Sequence, residues 1–455
     1  MQYDIAVIGG GAAGLGAVEA ALHAGASVVL ITDGPIGGDC TFTGCVPSKT
    51  LIEAGAQQVP FTEAMTRVQQ AVTHIAATET ADVLRGRGIA VIEGSAEVVD
   101  ARTIAVAGNR IRAKRIVIAT GSTPAEPPVA GHADVPYLTT DTVFDLTTRP
   151  DSLLIMGSGA VGCELAQALS RFGVKVSVVE KAPRLLPTAD PEASAVLADV
   201  FAAEGIAVYT GTTVAEMGCC PGGVMVRTAD GATLTADLIL VAVGRKPVTR
   251  GLNLSTLGLQ TSAAGHIVVD RHMATGVAGV YAAGDVTGRS PFTHAAHEMG
   301  RVAVGSALHR YRRPSFDPLR TPSVVFTDPE IAAVGWQEHE VRDDRARVAY
   351  LPLQEVDRAI TAGCTRGFVK LLAGPRPLLG NAGGGRILGA TIVGPRAGEL
   401  IHEPAMAMWT GMFTGRLAQV THAYPTWSTA VQQAAAQFFG YGERRPRAPR
   451  TQQPG

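Results

Sequence analysis

No apolar run in this 455-residue chain approaches the roughly 18 residues that a membrane-spanning helix needs. Nor does either charge dominate. The 39 Lys and Arg stand against 40 Asp and Glu, a formal net charge of −1, which supplies no pull toward nucleic acid or an anionic membrane surface. Small-molecule chemistry is the expectation that remains. Cysteine is scarce: Cys40, Cys45, Cys163, Cys219, Cys220 and Cys364 are too few to staple a secreted scaffold. No signal peptide precedes the strand-like Tyr3-Asp4-Ile5-Ala6-Val7-Ile8, so the expected location is cytoplasmic. There a close cysteine pair reads as reactive rather than structural. Lysine is rare as well, at Lys49, Lys114, Lys175, Lys181, Lys246 and Lys370 only, so any lysine inside a motif carries weight.

What is there begins with Gly37-Gly38-Asp39-Cys40-Thr41-Phe42-Thr43-Gly44-Cys45-Val46-Pro47-Ser48-Lys49-Thr50. Five residues of straight helix rise roughly 7.5 Å, a little more than a disulfide spans. A redox pair at Cys40 and Cys45 therefore requires a bend, and Gly44 is placed to give it. A helix opening near Pro47 puts Cys45 at its N-terminus with Lys49 one turn on, a setting that favours thiolate over thiol.

Ahead of this pair, the apolar strand Ile5 to Ile8 enters Gly9-Gly10-Gly11-Ala12-Ala13-Gly14, and Ser27 to Ile31 reads as a second strand after a helix. Gly9, Gly11 and Gly14 thus open a βαβ dinucleotide fold in which a pyrophosphate meets a helix N-terminus. At the end of the second strand the position expected to bind ribose is Thr32, with Asp33 next; Asp33 is the candidate acid. A second such unit follows. Ser152 to Met156 leads into Gly157, Gly159 and Gly162, then a helix, then the strand Lys175 to Val179 and Glu180. A carboxylate at Glu180 accepts a ribose 2′-OH and repels a 2′-phosphate, which predicts a preference for NADH over NADPH, softened by the nearby Lys181 and Arg184. From Gly211 to Leu240 the chain alternates around Gly222-Gly223 and Asp230-Gly231, the pattern of a hairpin or meander. Cys219-Cys220 falls near its turn, as an adjacent pair able to capture a soft metal or as plain surface residues.

These motifs resemble those of the FAD-dependent pyridine nucleotide-disulfide oxidoreductases, the group of dihydrolipoamide dehydrogenase, glutathione reductase and mercuric reductase. The redox motif of the group is kept except for Asp39 in place of threonine. Ile118-Ala119-Thr120-Gly121-Ser122, the second glycine turn, Val243-Gly244-Arg245-Lys246-Pro247 and Val280-Tyr281-Ala282-Ala283-Gly284-Asp285 follow in the same order. The resemblance covers residues 1 to about 440. It implies FAD and NAD(P)H as cofactors, with Thr120, Gly121, Gly244 and Asp285 around them and Asp285 on the FAD ribityl chain. It also implies Cys45 as the thiolate facing the flavin, Cys40 as the outer thiol, Lys49 paired with Glu164, and His294 as a flavin cap. As a lone histidine, His294 reads equally as a helix-start packing residue.

The implied fold class is α/β: two nucleotide-binding three-layer (Rossmann-like) domains plus a C-terminal α+β dimerisation domain. The expected boundaries are 1–149 with 279–320 for FAD, 150–278 for NAD(P)H and 321–440 for dimerisation. The basic, proline-rich 441–455 is expected to be disordered. A homodimer follows from the third domain.

Near the C-terminal end the resemblance breaks. The disulfide reductases of the group carry a second histidine and a glutamate in H-P-H-P-T-x-S-E; here the stretch is Thr421-His422-Ala423-Tyr424-Pro425-Thr426-Trp427-Ser428-Thr429. Tyrosine stands for the catalytic histidine and threonine for the glutamate. A phenol of ordinary pKa near 10 is a poor proton acceptor at neutral pH, which leaves Tyr424 as a hydrogen-bond donor or metal ligand and His422 as a substitute base. Mercuric reductases share the tyrosine, but the cysteine pair they carry at the terminus is missing from 441–455, and no metal-capturing domain is expected ahead of Met1.

Three functions compete. The leading one passes electrons from NAD(P)H through FAD and Cys40–Cys45 to an acceptor that needs no histidine base, an unusual disulfide or a soft metal ion such as Hg²⁺ or Cu²⁺. The second is a quinone reductase acting directly from the flavin. The third is a catalytically silent flavoprotein subunit. No resident metal site is expected.

Overall fold

The computed structural model describes residues 2–309, 311–440, 442 and 444–450. The chain forms two compact units: Met1–Pro128 with Val135–Pro150 and Leu238–Pro318, and Val129–Asp134 with Asp151–Asp237 and Leu319–Gly455. Residues 242–278, expected within the second nucleotide-binding domain, group with the first unit. Leu252, Ile267, Val269 and Met273 are buried in its core.

In the first unit, strand β1 (Gln2–Ile8), helix α1 (Ala12–His23) and strand β2 (Val28–Thr32) make the expected βαβ unit. Helices α2 (Gly38–Phe42), α3 (Cys45–Ala56), α4 (Phe61–Ala76) and α5 (Ala81–Gly86) follow. Strands β3 (Ala90–Glu93), β4 (Ala96–Asp100), β5 (Thr103–Val106) and β6 (Asn109–Ile118) complete its main sheet, in the order β3-β2-β1-β6-β5-β4, with the strand Val280–Ala282 also on β6. β1 pairs in parallel with both β2 and β6, Ile8 opposite Ile31 and Ile118. Strands this apolar suit a sheet covered on both faces: Ile5, Val7, Leu30, Ile31, Ile116 and Ile118 are fully or nearly fully buried. One cover is α1 against the helix Thr293–Leu308. Their backbones approach closely enough that a Cβ at Gly300 would lie 2.1 Å from the Ala13 carbonyl oxygen. Strand β7 (Ser122–Pro124) pairs antiparallel with Arg245–Pro247, which brings the two short motifs around Gly121 and Gly244 side by side.

The second unit holds a parallel ladder of β8 (Ser152–Met156), β9 (Lys175–Val179) and β10 (Ala207–Tyr209), with helix α6 (Ala160–Arg171) after the glycine turn and α7 (Pro191–Ala203) before β10. Strands β11 (Val214–Cys220), β12 (Gly223–Thr228) and β13 (Thr233–Ala236) form the antiparallel meander that the alternation predicts. Cys219 and Cys220 sit on β11 itself, opposite Val224 and Gly223, rather than in the turn. Neighbours on a strand point to opposite faces, so they do not form a joint ligand pair. After them, Ser323–Val325, Glu330–Gly335, Arg386–Gly394, Phe368–Gly374 and Arg347–Pro352 line up in that order as an antiparallel sheet. Helices His402–Trp409, Thr414–Gln419 and Thr429–Ala436 contribute Ala407, Leu417, Val431 and Ala434 to the core on that sheet.

Residues 444–450, part of the tail expected to be disordered, are placed along this unit. Arg447 and Val348 exchange backbone hydrogen bonds of 2.9 and 2.8 Å. The remainder of that stretch lies outside the described residues, Gly442 excepted. No helix among the described residues is long and apolar enough to cross a membrane.

Candidate active site

The two cysteines are brought together by a break between short helices. α2 carries Cys40 and ends at Phe42, Gly44 turns the chain, and α3 begins at Cys45. A Cβ on Gly44 would lie 2.8 Å from the Asp39 carbonyl oxygen, so the bend requires glycine. Both cysteines are free thiols, Cys40 half-buried and Cys45 exposed. A hydrogen bond to Cys45 and then burial push the Cys40 thiol far up from its ordinary value. Cys45 stands at the N-terminus of α3, where unpaired N–H groups favour an anion. The Cys45 Sγ lies 3.3 Å from Oγ1 of Thr293.

Cys40 opens onto a cavity of about 410 Å³ within the first unit, lined also by Gly9, Gly11, Asp33, Thr120, Gly121, Asp285 and Thr293. A second cavity shares Thr32, Asp33, Gly34, Pro35, Phe42 and Gly94 with it, so the space is elongated and runs past the end of β2. The Gly37 amide donates to the Gly10 carbonyl at 2.9 Å, which fastens the glycine turn to the segment before the dithiol. Thr32 turns its hydroxyl onto the Gly34 carbonyl at 2.9 Å, and Asp33 lines both cavities, with Glu79 and Glu93 also on the second. Gly14 lies one turn into α1, and Gly244 outside the lining, where its φ of 123° sets the entry to Arg245.

Arg245 is the residue that motif reading missed. Its Nε donates to Ser122 Oγ at 2.7 Å, its Nη2 to the Ser122 carbonyl at 2.8 Å, and Nη2 also pairs with Asp39 beside Cys40. Ser122 Oγ donates in turn to Asp285 Oδ2 at 2.7 Å. One guanidinium thus ties three separate motifs around the cavity. The signal was in the letters, since Arg245 follows Gly244 and Asp39 departs from the usual threonine. His294, the neighbour of Thr293 on the helix Thr293–Leu308, stacks on Phe292 with ring centroids 5.7 Å apart.

In the second unit, Gly157 donates its N–H to Val179 at 2.9 Å and Gly159 caps α6. Glu180 is buried: Oε2 accepts from the Ser158 amide and hydroxyl at 2.8 and 3.0 Å, and Oε1 from the Ala182 amide at 2.8 Å. A carboxylate has about four acceptor positions, which leaves one for a ribose hydroxyl. Gly162 and Glu164 lie on α6, and Glu164 Oε1 accepts from the Phe326 amide at 2.9 Å; Lys49 stands on α3 of the first unit. Cys163 is fully buried with its thiol on the Ser158 carbonyl at 3.2 Å, a packing residue.

At the C-terminal break, Tyr424 is 73% exposed and its hydroxyl donates to Asp357 Oδ2 at 2.7 Å. Thr429 donates to the Thr426 carbonyl within its own turn, so it orients no imidazole. His422 places Nε2 3.1 Å from Glu403 Oε2 and Nδ1 2.9 Å from the Val420 carbonyl, with its side chain 7% exposed. That pairing depends on Glu403, 19 residues upstream, and no local pattern announces it.

The family model for pyridine nucleotide-disulphide oxidoreductases matches residues 3–300, and the model for their dimerisation domain matches residues 321–435. The chain belongs to the pyridine nucleotide-disulphide oxidoreductases. Mercuric reductase from Staphylococcus aureus is 32% identical over 459 residues, covering 96% of this chain and 82% of that protein. Dihydrolipoyl dehydrogenase from Thermus scotoductus is 33% identical over 462 residues, covering 95% and 96%. Among solved structures, the Cu(II) complex of the HOCl-induced flavoprotein disulfide reductase RclA from Escherichia coli superposes with a TM-score of 0.87 at 28% identity, over 96% of this chain and 99% of that one.

As a member of this family the protein is an oxidoreductase with FAD, NAD(P)H and a redox-active cysteine pair. Its residues fit the flavin nucleotide. Glycine backbone at an α1 N-terminus meets a pyrophosphate, Asp33 and Asp285 offer carboxylates along the cavity, and a Cβ on Gly9 would strike the Ala119 carbonyl at 2.2 Å, so the turn is kept free of side chains.

Proposed function

We propose that this oxidoreductase uses NADH to reduce Cys40–Cys45 and that the dithiol passes its electrons to a soft metal ion, Hg²⁺ or Cu²⁺ by class, in a homodimeric protein. One observation carries the choice of acceptor: where a proton relay is expected, Tyr424 donates to Asp357 and Thr429 to its own turn.

The stoichiometry explains why this matters. Reducing a disulfide to two thiols takes two electrons and two protons, and an acid must deliver protons to the leaving sulfurs. Reducing Hg²⁺ to the metal takes two electrons and consumes no proton: Cys40 releases its proton to water as it meets the ion, the two sulfurs lose one electron each, the S–S bond forms, and the metal leaves uncharged. Cu²⁺ takes one electron to become Cu⁺, so two copper ions are reduced per disulfide formed. With Tyr424 and Thr429 so engaged, and both ring nitrogens of His422 turned onto Glu403 and the Val420 carbonyl, the site is handicapped in the first reaction and adequate for the second. The similarity to mercuric reductases over nearly the whole chain supports this choice, as does that to a Cu(II) complex of a flavoprotein disulfide reductase.

When bound, FAD supplies the two-electron step between nicotinamide and sulfur. Asp33 and Asp285 would hold its ribose and ribityl hydroxyls, and the Gly9–Gly11 turn would hold its phosphates. Cys45, at the start of α3 with Lys49 one turn on, keeps the charge, while Cys40 keeps the proton until the acceptor arrives. NADH is preferred because Glu180 answers a 2′-hydroxyl. The guanidinium that would otherwise attract a 2′-phosphate is engaged: Arg184 Nη2 donates to the Pro187 and Ala189 carbonyls at 2.6 and 3.1 Å.

An acceptor screen tests the reading, with NADH and NADPH against Hg²⁺, Cu²⁺, lipoamide, small disulfides and quinones. The expected result is NADH-driven metal reduction that Cys40→Ala abolishes. Fast lipoamide turnover would overturn it.

A further inference from the structure

The segment 444–450 does something that neither the dithiol nor the coenzyme turn accounts for. Beneath it lies a buried ion cluster. The Lys370 ammonium, its side chain 2% exposed, is 2.8 Å from Asp190 Oδ2, 3.1 Å from Glu338 Oε2, and also in contact with Glu192. One cation against three carboxylates leaves two negative charges unmatched in a poorly solvated place, an arrangement that costs several kcal/mol unless neutralised. The tail supplies the missing pair. Arg447 forks onto both oxygens of Glu338, with Nη2 to Oε2 at 3.0 Å, and Arg450 sends Nη1 to Glu192 Oε1 at 2.7 Å and its own amide to Glu338 Oε1 at 2.6 Å. Arg444 fixes the entry to the segment on Glu355, with Nε 2.8 Å from Oε2. Planar guanidinium forks suit carboxylates in this two-point fashion. Arg447 also pairs its backbone with Val348 on Arg347–Pro352, the edge strand of its sheet.

The acids so neutralised belong to the coenzyme region. Asp190 is the N-cap of α7 and accepts from the Glu192 amide at 2.9 Å. The loop that leads to it begins at Glu180. Halfway along, Leu186 sits at φ 46°, a left-handed conformation that leucine holds only when its surroundings enforce it. Its amide donates to the Ser158 carbonyl at 2.9 Å, inside the Gly157–Gly159 turn, and Ser158 in turn donates to Glu180. Gln337, next to Glu338, donates to the Thr188 carbonyl at 2.6 Å. A continuous set of bonds therefore runs from the tail arginines through Glu192, Asp190 and the 181–190 loop to the turn that receives the coenzyme phosphates.

We propose that Arg447 and Arg450 are positioning residues for the nicotinamide coenzyme: the C-terminal strap holds α7 and the 181–190 loop in the register that presents Ser158 and Glu180 to NADH. This rests on the reading of 157–180 as the coenzyme site.

The test is NAD⁺ affinity by titration calorimetry on the full-length, FAD-loaded protein, alongside KM and kcat for NADH. For Arg447→Gln with Arg450→Gln, the NAD⁺ Kd and the NADH KM should rise roughly three- to tenfold, the range expected for coupling through such a network, with kcat for the metal acceptor within about twofold. Arg447→Lys with Arg450→Lys should recover part of the affinity. Arg450→Gln alone keeps the question open to refutation if the double variant does not fold, since that side chain is 69% exposed. Unchanged NAD⁺ affinity with only a lower Tm would overturn the proposal and leave the strap a stability element. Glu180→Ala separates the two readings: normal NAD⁺ binding by that variant overturns the coenzyme site itself, whereas normal binding by the arginine variants alone overturns the strap.

Discussion

The Tyr424 hydroxyl donates to the Asp357 carboxylate at 2.7 Å, and this hydrogen bond raises the phenol above its ordinary value of 10. The sign matters. A phenol that keeps its proton through neutral and mildly alkaline pH takes none from a substrate, so the place where family members hold an acid-base imidazole holds a donor already engaged.

Tyr424→Phe should therefore leave metal reduction within about twofold of wild type and its pH profile unaltered up to pH ~10. Tyr424→His combined with Thr429→Glu should do the reverse for lipoamide and small disulfides. General acid-base catalysis contributes about a hundredfold or more where it operates, and even a poorly aligned dyad should raise disulfide turnover about tenfold. Steady-state kinetics with both acceptor classes checks this; a strong loss of metal reduction in Tyr424→Phe would mean that the phenol takes part.

Arg245 joins Ser122, Asp39 and, through Ser122, Asp285. Removing it orphans polar groups on several sides of one cavity. Arg245→Gln should lower FAD affinity about tenfold or more, as expected for losing hydrogen bonds to a charged group. Flavin fluorescence on dialysis reads this directly, and full retention of FAD would show that the guanidinium is dispensable.

Glu338 gives a pH dependence. Burial alone would raise its pKa, but hydrogen bonds from Arg447 and the Arg450 amide, with the Lys370 ammonium, bring it from 4.5 down to about 2. A carboxylate lower in the folded state than in the unfolded one contributes its full stability above pH 4.5 and loses it as pH falls toward 2. That contribution is on the order of 3 kcal/mol. Wild type should lose Tm steeply across that window in thermal scans, and Glu338→Gln should flatten the curve. A curve of equal slope in the variant would place the acid sensitivity elsewhere.

Much of the fold was legible because it is local. Both glycine turns lie between an apolar strand and a helix, the bend at Gly44 follows from two cysteines five apart, and the meander after Gly211 announces itself by alternation. What escaped reading is held by long-range pairing. Arg245 meets Asp39 206 residues away, and His422, between helices, meets Glu403 on the helix His402–Trp409. The tail reads as disordered because proline and arginine dominate 441–455; the acids that Arg447 and Arg450 meet, Glu338 and Glu192, lie far off in sequence, and the tail's own letters do not reveal them. The burial of Leu252 and Met273 is hard to read for a similar reason, since the core that takes them is assembled mostly from strands of the first unit.

The most direct test is anaerobic. Protein reduced with one equivalent of NADH is mixed rapidly with Hg²⁺ or with lipoamide, and the long-wavelength absorbance of a cysteine thiolate beside oxidised flavin is followed. The account predicts that this band forms, that Hg²⁺ discharges it at least about tenfold faster than lipoamide, and that two thiols disappear per metal ion reduced. A band that never forms, or one that lipoamide discharges as fast as the metal, would contradict it.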